Sequence, residues 1–213
     1  MHHVLMISAG FFHPPSTGRL HLWRGLTRTP DVRLHHASSL DALIGIQPGA
    51  LSAVVLYYHR RKLSSAALAA LDRFARVGGG ILAVHSATAS FKETPAYFDI
   101  LGGKFTGHPP VGRMEIRSIS ESDAVFGAIP PFTVTDEAYR HDLRSDIQVH
   151  FVAQCKRPED GQLPVVWTRR HGAGRVCYVG PGHRAASLRH PCVVQILQRG
   201  LAWVCAAGEE AVP

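Results

Sequence analysis

The chain has 213 residues, 46% hydrophobic and 18% charged, with 23 Lys plus Arg against 16 Asp plus Glu for a formal net charge of +7. That composition builds a core and excludes an intrinsically disordered chain, and the length suits one large α/β domain. No run of eighteen apolar residues occurs and the opening MHHVLMISAG has no export-signal pattern, so a cytoplasmic setting without a membrane partner is expected.

In chain order, Val4 to Ser8 reads as a buried strand that runs into a Gly- and Pro-containing loop carrying His13. Gly18 to Thr27 has helical spacing, Val32 to His35 reads as a short strand, and Ala53 to Tyr58 is the most β-like segment. Leu68, Leu71, Phe74 and Ala75 predict a helix over Ser64 to Val77, which Gly78-Gly79-Gly80 stops before the strand Ile81 to Val84. This alternation predicts a parallel sheet with ligands at the carboxyl ends of its strands. After a helix at Pro95 to Leu101 the texture turns β-rich: Arg113 to Ile119, Phe132 to Tyr139, Ile147 to Gln154, and a hairpin of Val165 to Thr168 with Arg175 to Val179. A helix over Pro191 to Ala206 closes the fold.

Fourteen histidines are the compositional feature that needs an explanation. His85 and His183 follow apolar strands, and His108 and His141 lie in loops predicted at the same end. The remaining histidines other than His13 are read as surface or packing residues. If TVTDEAYRHD is extended, Glu137, Tyr139 and His141 share one face, and Asp136, Arg140 and Asp142 share the other. A carboxylate, a phenol and imidazoles together suit acid/base catalysis. They are equally a ligand set for a divalent ion, Zn²⁺ or Mn²⁺, with His85, His108, His141 and His183 as the nitrogen donors. Arg140 and Arg184 form a basic rim. No Rossmann or P-loop pattern is present, so no nucleotide cofactor is expected, and the 19 Arg are too scattered for a nucleic-acid footprint. Cys155, Cys177, Cys192 and Cys205 lack CxxC spacing and read as a reduced, buried set.

The strings GGGILAVHSAT, YFDILGGKFTGHPP, PFTVTDEAYRHD, PVVWTRRHGAGRVCYVGPGH and RGLAWV, in that order, resemble the ThuA-like family of trehalose-utilisation proteins. The likeness runs from about Val4 to Trp203. It implies a single domain with a flavodoxin-like three-layer α/β/α sandwich similar to class I glutamine amidotransferases, its central sheet mostly parallel, with a β-rich extension in the second half. In those enzymes a Cys nucleophile occupies the turn after the strand that here ends in Val84. This chain has His85 there, and His183 matches their late histidine, so amidotransferase chemistry is not expected. The family's association with catabolism of trehalose and related disaccharides, beside a dehydrogenase that makes 3-keto sugars, implies a small sugar substrate. The expected activity is metal-assisted isomerisation of a keto-sugar, with Glu137, Tyr139, His85 and His183 in catalysis and His13, His108 and Arg140 on the substrate. A non-catalytic sugar-binding module and a metal-dependent hydrolase stay open as alternatives, as does a homo-oligomer.

Overall fold

In β1 (His2–Ala9) Val4 and Met6 enter one apolar cluster, while Leu5 and Ile7 enter another. Successive strand residues point to opposite faces, so an unbroken apolar run means a strand covered on both sides. β3 (Ala53–Tyr58) divides in the same way, with Val55 and Tyr57 on one face and Leu56 and Tyr58 on the other. The first cluster takes in side chains from α1 (Ser16–Leu26), α4 (Ala185–Arg189) and α5 (Pro191–Cys205). The second takes them from α2 (Ser65–Arg76) and α3 (Pro95–Leu101). Three layers result, in a computed structural model that describes residues 1–9, 16–155 and 161–209.

Among the described residues the main sheet has nine strands in the order β2-β1-β3-β4-β11-β10-β9-β6-β7. The added members are β2 (Val32–Ala37), β4 (Gly80–Val84), β6 (Gly112–Ser118), β7 (Phe132–Asp136), β9 (Gln148–Cys155), β10 (Gln162–His171) and β11 (Gly174–Val179). The pairs from β2 through β11 are parallel and those from β11 through β7 are antiparallel. The expectation of a mostly parallel sheet is therefore corrected to a mixed one. Parallel neighbours need a crossover helix, and among the described residues the chain between α3 and α4 supplies none, so its strands fold back on one another. One of them, β11, returns beside β4 and so sets the carboxyl ends of these two strands next to each other.

Two further readings change. Phe132 to Tyr139 is not one strand: β7 stops at Asp136, and the chain enters β8 (Arg140–Leu143). β8 pairs with β5 (Gly103–Gly107) in a separate two-stranded ribbon. The sequence GKFTG, with two glycines, gave no strand signal for β5. Of the cysteines, Cys177 and Cys205 are buried, while Cys155 and Cys192 keep partial exposure.

Several histidines read as background are structural. His150, 1% exposed, holds the Asp123 carboxylate with Nδ1 at 2.5 Å and the Thr168 hydroxyl with Nε2 at 2.7 Å. The other Asp123 oxygen accepts the amides of Val125 and Phe126, fixing the loop before β7 to β9 and β10. Replacing His150 with Ala strands a buried carboxylate and is expected to cost about 3 kcal/mol in urea unfolding. Burial pushes the Asp123 carboxyl up, but the hydrogen bond from His150 and the Phe126 amide outweigh it and hold it below its ordinary value. A folded-state value below the unfolded one gives stability that is present at neutral pH and lost as pH falls through the carboxylate range near about 4. The stability gap between the wild type and Asp123→Asn is thus expected to stay constant above about pH 5 and to shrink below about pH 4.

Candidate functional site

β4 is buried along its whole length and ends at Val84, after which His85 adopts a φ of +46° and opens a short 3-10 turn, His85–Ala89. A left-handed conformation is uncommon outside glycine, and a surrounding lattice of bonds must hold it. Here the His85 carbonyl accepts from the Thr88 hydroxyl at 3.2 Å and the Tyr178 hydroxyl at 3.3 Å. Its Nδ1 donates to the Gly180 carbonyl at 2.9 Å. A carbonyl only accepts, so the proton sits on Nδ1 and Nε2 faces the cleft with its lone pair when the ring is neutral. Gly182 closes over this turn, where a Cβ would lie 2.7 Å from the His85 Cβ.

The end of β7 is tied to the loop after β11 by one carboxylate. Asp136, 1% exposed, accepts the amides of Glu137 at 2.8 Å and His183 at 3.0 Å on Oδ1, and that of Arg184 at 3.3 Å on Oδ2. From β3, the Tyr57 hydroxyl donates to the Gly182 carbonyl at 2.7 Å. These bonds bring Glu137 and His183 onto His85. Glu137 Oε2 is 3.2 Å from His183 Nδ1 and 3.5 Å from His85 Nε2, and Oε1 is 3.8 Å from His108 Nε2. The ligand atoms of His85, Glu137 and His183 all fall within 4.8 Å of one another.

Burial pushes the Glu137 carboxyl up, but the His85 hydrogen bond and the charges of His183, His85 and His108 pull it down to about 2. It is a fixed anion at any physiological pH. Tyr139 lies 4.2 Å from His85, ring centre to ring centre. Burial, then the neighbouring Tyr178, Glu137 and Asp136, push its phenol far up, so it stays protonated and donates.

The expected convergence is met by three residues, with His108 at their edge and Tyr139 as a wall. His108 follows β5, and its side chain keeps 35% exposure. Arg140 begins β8, paired with Gly107. His141 stands apart from the cluster: its Nε2 meets the Thr88 hydroxyl at 3.0 Å, and its ring is edge-on to Trp167 and Tyr178. Burial and the His85 charge push it down to about 3, so it is neutral. His13 lies outside the described residues. Asp136, read on the face opposite Glu137, is buried: the alternation of β7 holds to its last residue and turns Phe132, Val134 and Asp136 inward. Sequence reasoning also missed Tyr57, Gly182 and Phe105, the last with its ring 4.3 Å from Tyr139. An acidic pair, Asp136-Glu137, at a strand terminus was the available signal for the stitching carboxylate.

Asp136→Ala leaves three amides without their acceptor and is expected to cost about 3 kcal/mol or more, whereas Asp136→Asn retains an oxygen for Glu137 and His183 and costs less. Tyr57→Phe removes one neutral hydrogen bond, about 1 kcal/mol. Chemical denaturation of the three variants checks this ranking.

None of the curated proteins matches the chain in sequence. In structure it is similar to a ThuA-like protein from Parabacteroides merdae, with 16% identity and a TM-score of 0.82 over 96% of this chain and 90% of that one. A second ThuA-like protein, from Bacteroides uniformis, gives 17% identity and 0.78 over 95% and 91%. A cytoplasmic protein from Salmonella typhimurium gives 14% identity and 0.65 over 94% and 98%. The ThuA family model, described as trehalose utilisation, matches residues 4–204, and over that span the chain belongs to the ThuA family.

Proposed function

We propose that the protein is a metal-assisted, cytoplasmic enzyme of carbohydrate catabolism that isomerises a keto-sugar by proton transfer. The observation that carries this reading is the His85–Glu137–His183 cluster at the buried ends of β4, β7 and β11. The donor set suits a divalent ion. At bond lengths of about 2.0–2.1 Å a tetrahedral ion holds its ligand atoms about 3.3 Å apart, and the 3.2 Å and 3.5 Å separations around Glu137 Oε2 are close to that. His85 adds a fixed tautomer through Gly180, the usual arrangement for a ligating imidazole. The strand order β2-β1-β3-β4-β11 of the parallel half supports the flavodoxin-like reading of the scaffold.

When bound, Zn²⁺ or Mn²⁺ would supply Lewis acidity to a ketone oxygen. Glu137, held ionised, provides the negative charge of the site. A carboxyl pulled down to about 2 is a weak base, so the proton work falls to His108, which is half-exposed and within 3.8 Å of Glu137. Tyr139 donates to the developing oxyanion. The proton leaves the carbon next to the carbonyl and returns to the former carbonyl carbon through an enediol, so no redox cofactor is consumed. An alternative, a sugar-binding module without turnover, is favoured by one observation: an imidazole, not a thiol, occupies the turn after β4.

Elemental analysis of purified protein is expected to give about one divalent ion per chain, lost in His85→Ala and His183→Ala. On 3-keto-glucosides, His108→Ala is expected to keep the ion and lower kcat about 100-fold. Glu137→Gln is expected to lose both ion and activity. A metal-loaded protein that leaves these sugars untouched, or a fully active Glu137→Gln, overturns the reading, and sugar binding without turnover selects the alternative.

A further inference from the structure

A second concave site lies on the other side of the Ser86–Phe91 turn. A cavity of about 330 Å³ opens at the carboxyl ends of β2 and β3, with Tyr58 and Phe91 among its lining and Ser38, Arg60, Arg61 and Lys62 at its rim. Its volume is in the range of small-ligand pockets. The carboxyl ends of parallel strands are also where such sheets take ligands.

The charge around it is one-sided. Arg76, Arg144 and Arg169 each meet a carboxylate, Asp72, Asp99 and Asp146 respectively. Among the described residues Arg60, Arg61 and Lys62 meet none. The single acid in the lining, Asp41, is already engaged, accepting the hydroxyls of Ser39 at 2.6 Å and Ser64 at 2.9 Å. The root of the basic run is fixed: the Arg60 amide donates to the Ser90 hydroxyl at 3.1 Å, and its carbonyl accepts the Phe91 amide at 2.8 Å. Phe91 holds a φ of +53° to make that bond, so the backbone under the cations is tied to the same turn that carries His85. His59, next in line, feels both Arg61 and His85.

We infer that this cavity is an anion-binding subsite for a phosphate group, free or carried on a sugar. Three cations lining one cavity with a single engaged carboxylate call for a dianion, and arginine guanidinium groups suit phosphate oxygens. This goes beyond the proposed ketone chemistry and does not depend on a metal at Glu137.

Calorimetric titration with inorganic phosphate, ionic strength held constant with KCl, tests it. Saturable 1:1 binding is expected, weakened at least tenfold in Arg60→Ser/Arg61→Ser/Lys62→Ser and in the single reversal Arg61→Glu. These exposed positions leave the phosphate-free thermal midpoint unchanged. Glucose 6-phosphate binding more tightly than inorganic phosphate identifies the anion as the handle of a phosphorylated sugar, and equal affinities identify free phosphate. No saturable binding to the wild type, or equal affinity in the triple variant, overturns the inference.

Discussion

A carboxylate taken out of water is costly unless donors surround it, and Asp136 is surrounded by backbone amides from two parts of the chain about 47 residues apart. Hydrogen bonds to a charged group are worth about 1.5–3 kcal/mol each, roughly twice the neutral kind. The Glu137 and His183 amides share one of its oxygens, so the residues that carry the reactive side chains are positioned by their own main chain. Tyr57 then fixes Gly182, and Gly182 in turn leaves just enough room for the left-handed His85. The three ends of β4, β7 and β11 are thereby locked into one geometry, to which the His85 side chain adds its Nδ1 bond to the Gly180 carbonyl.

The electrostatics follow from that geometry. Glu137 is ionised because imidazoles surround it, Tyr139 is protonated because it is buried against other phenols and carboxylates, and His141 is neutral because it is sealed behind Thr88 and aromatic rings. The result is one fixed negative charge ringed by imidazoles, with one phenol donor beside it. Such an array favours an electrophile at its centre. Its half-exposed member, His108, belongs to the β5–β8 ribbon and not to the sheet, so the covering element and the buried cluster have different anchors.

The sheet's change of direction has a functional consequence. If all strands had continued as parallel crossovers, the neighbour of β4 would have been the next strand in sequence. Instead the chain builds four antiparallel members first and returns as β11, which lays the Gly180–His183 loop across the His85 turn. The antiparallel half also brings Asp136 to the same edge, as the last residue of β7.

The sequence by itself determined the layered α/β scaffold, because apolar runs such as Ala53 to Tyr58 and the amphipathic Ser64 to Val77 encode strand and helix through local periodicity alone. It also singled out His85 and His183, which follow apolar strands, and Glu137, an acid within a predicted strand. Only the tertiary structure decided which of them meet. The period-2 pattern that grouped His141 with Glu137 does not run past Asp136, and Asp136, read on the opposite face, is the buried stitch of the site. Such contacts join segments far apart in the chain, and short-range periodicity carries no information about them. The β5–β8 ribbon was illegible for the same reason: glycine-rich GKFTG becomes a strand only because a partner strand is there to pair with it.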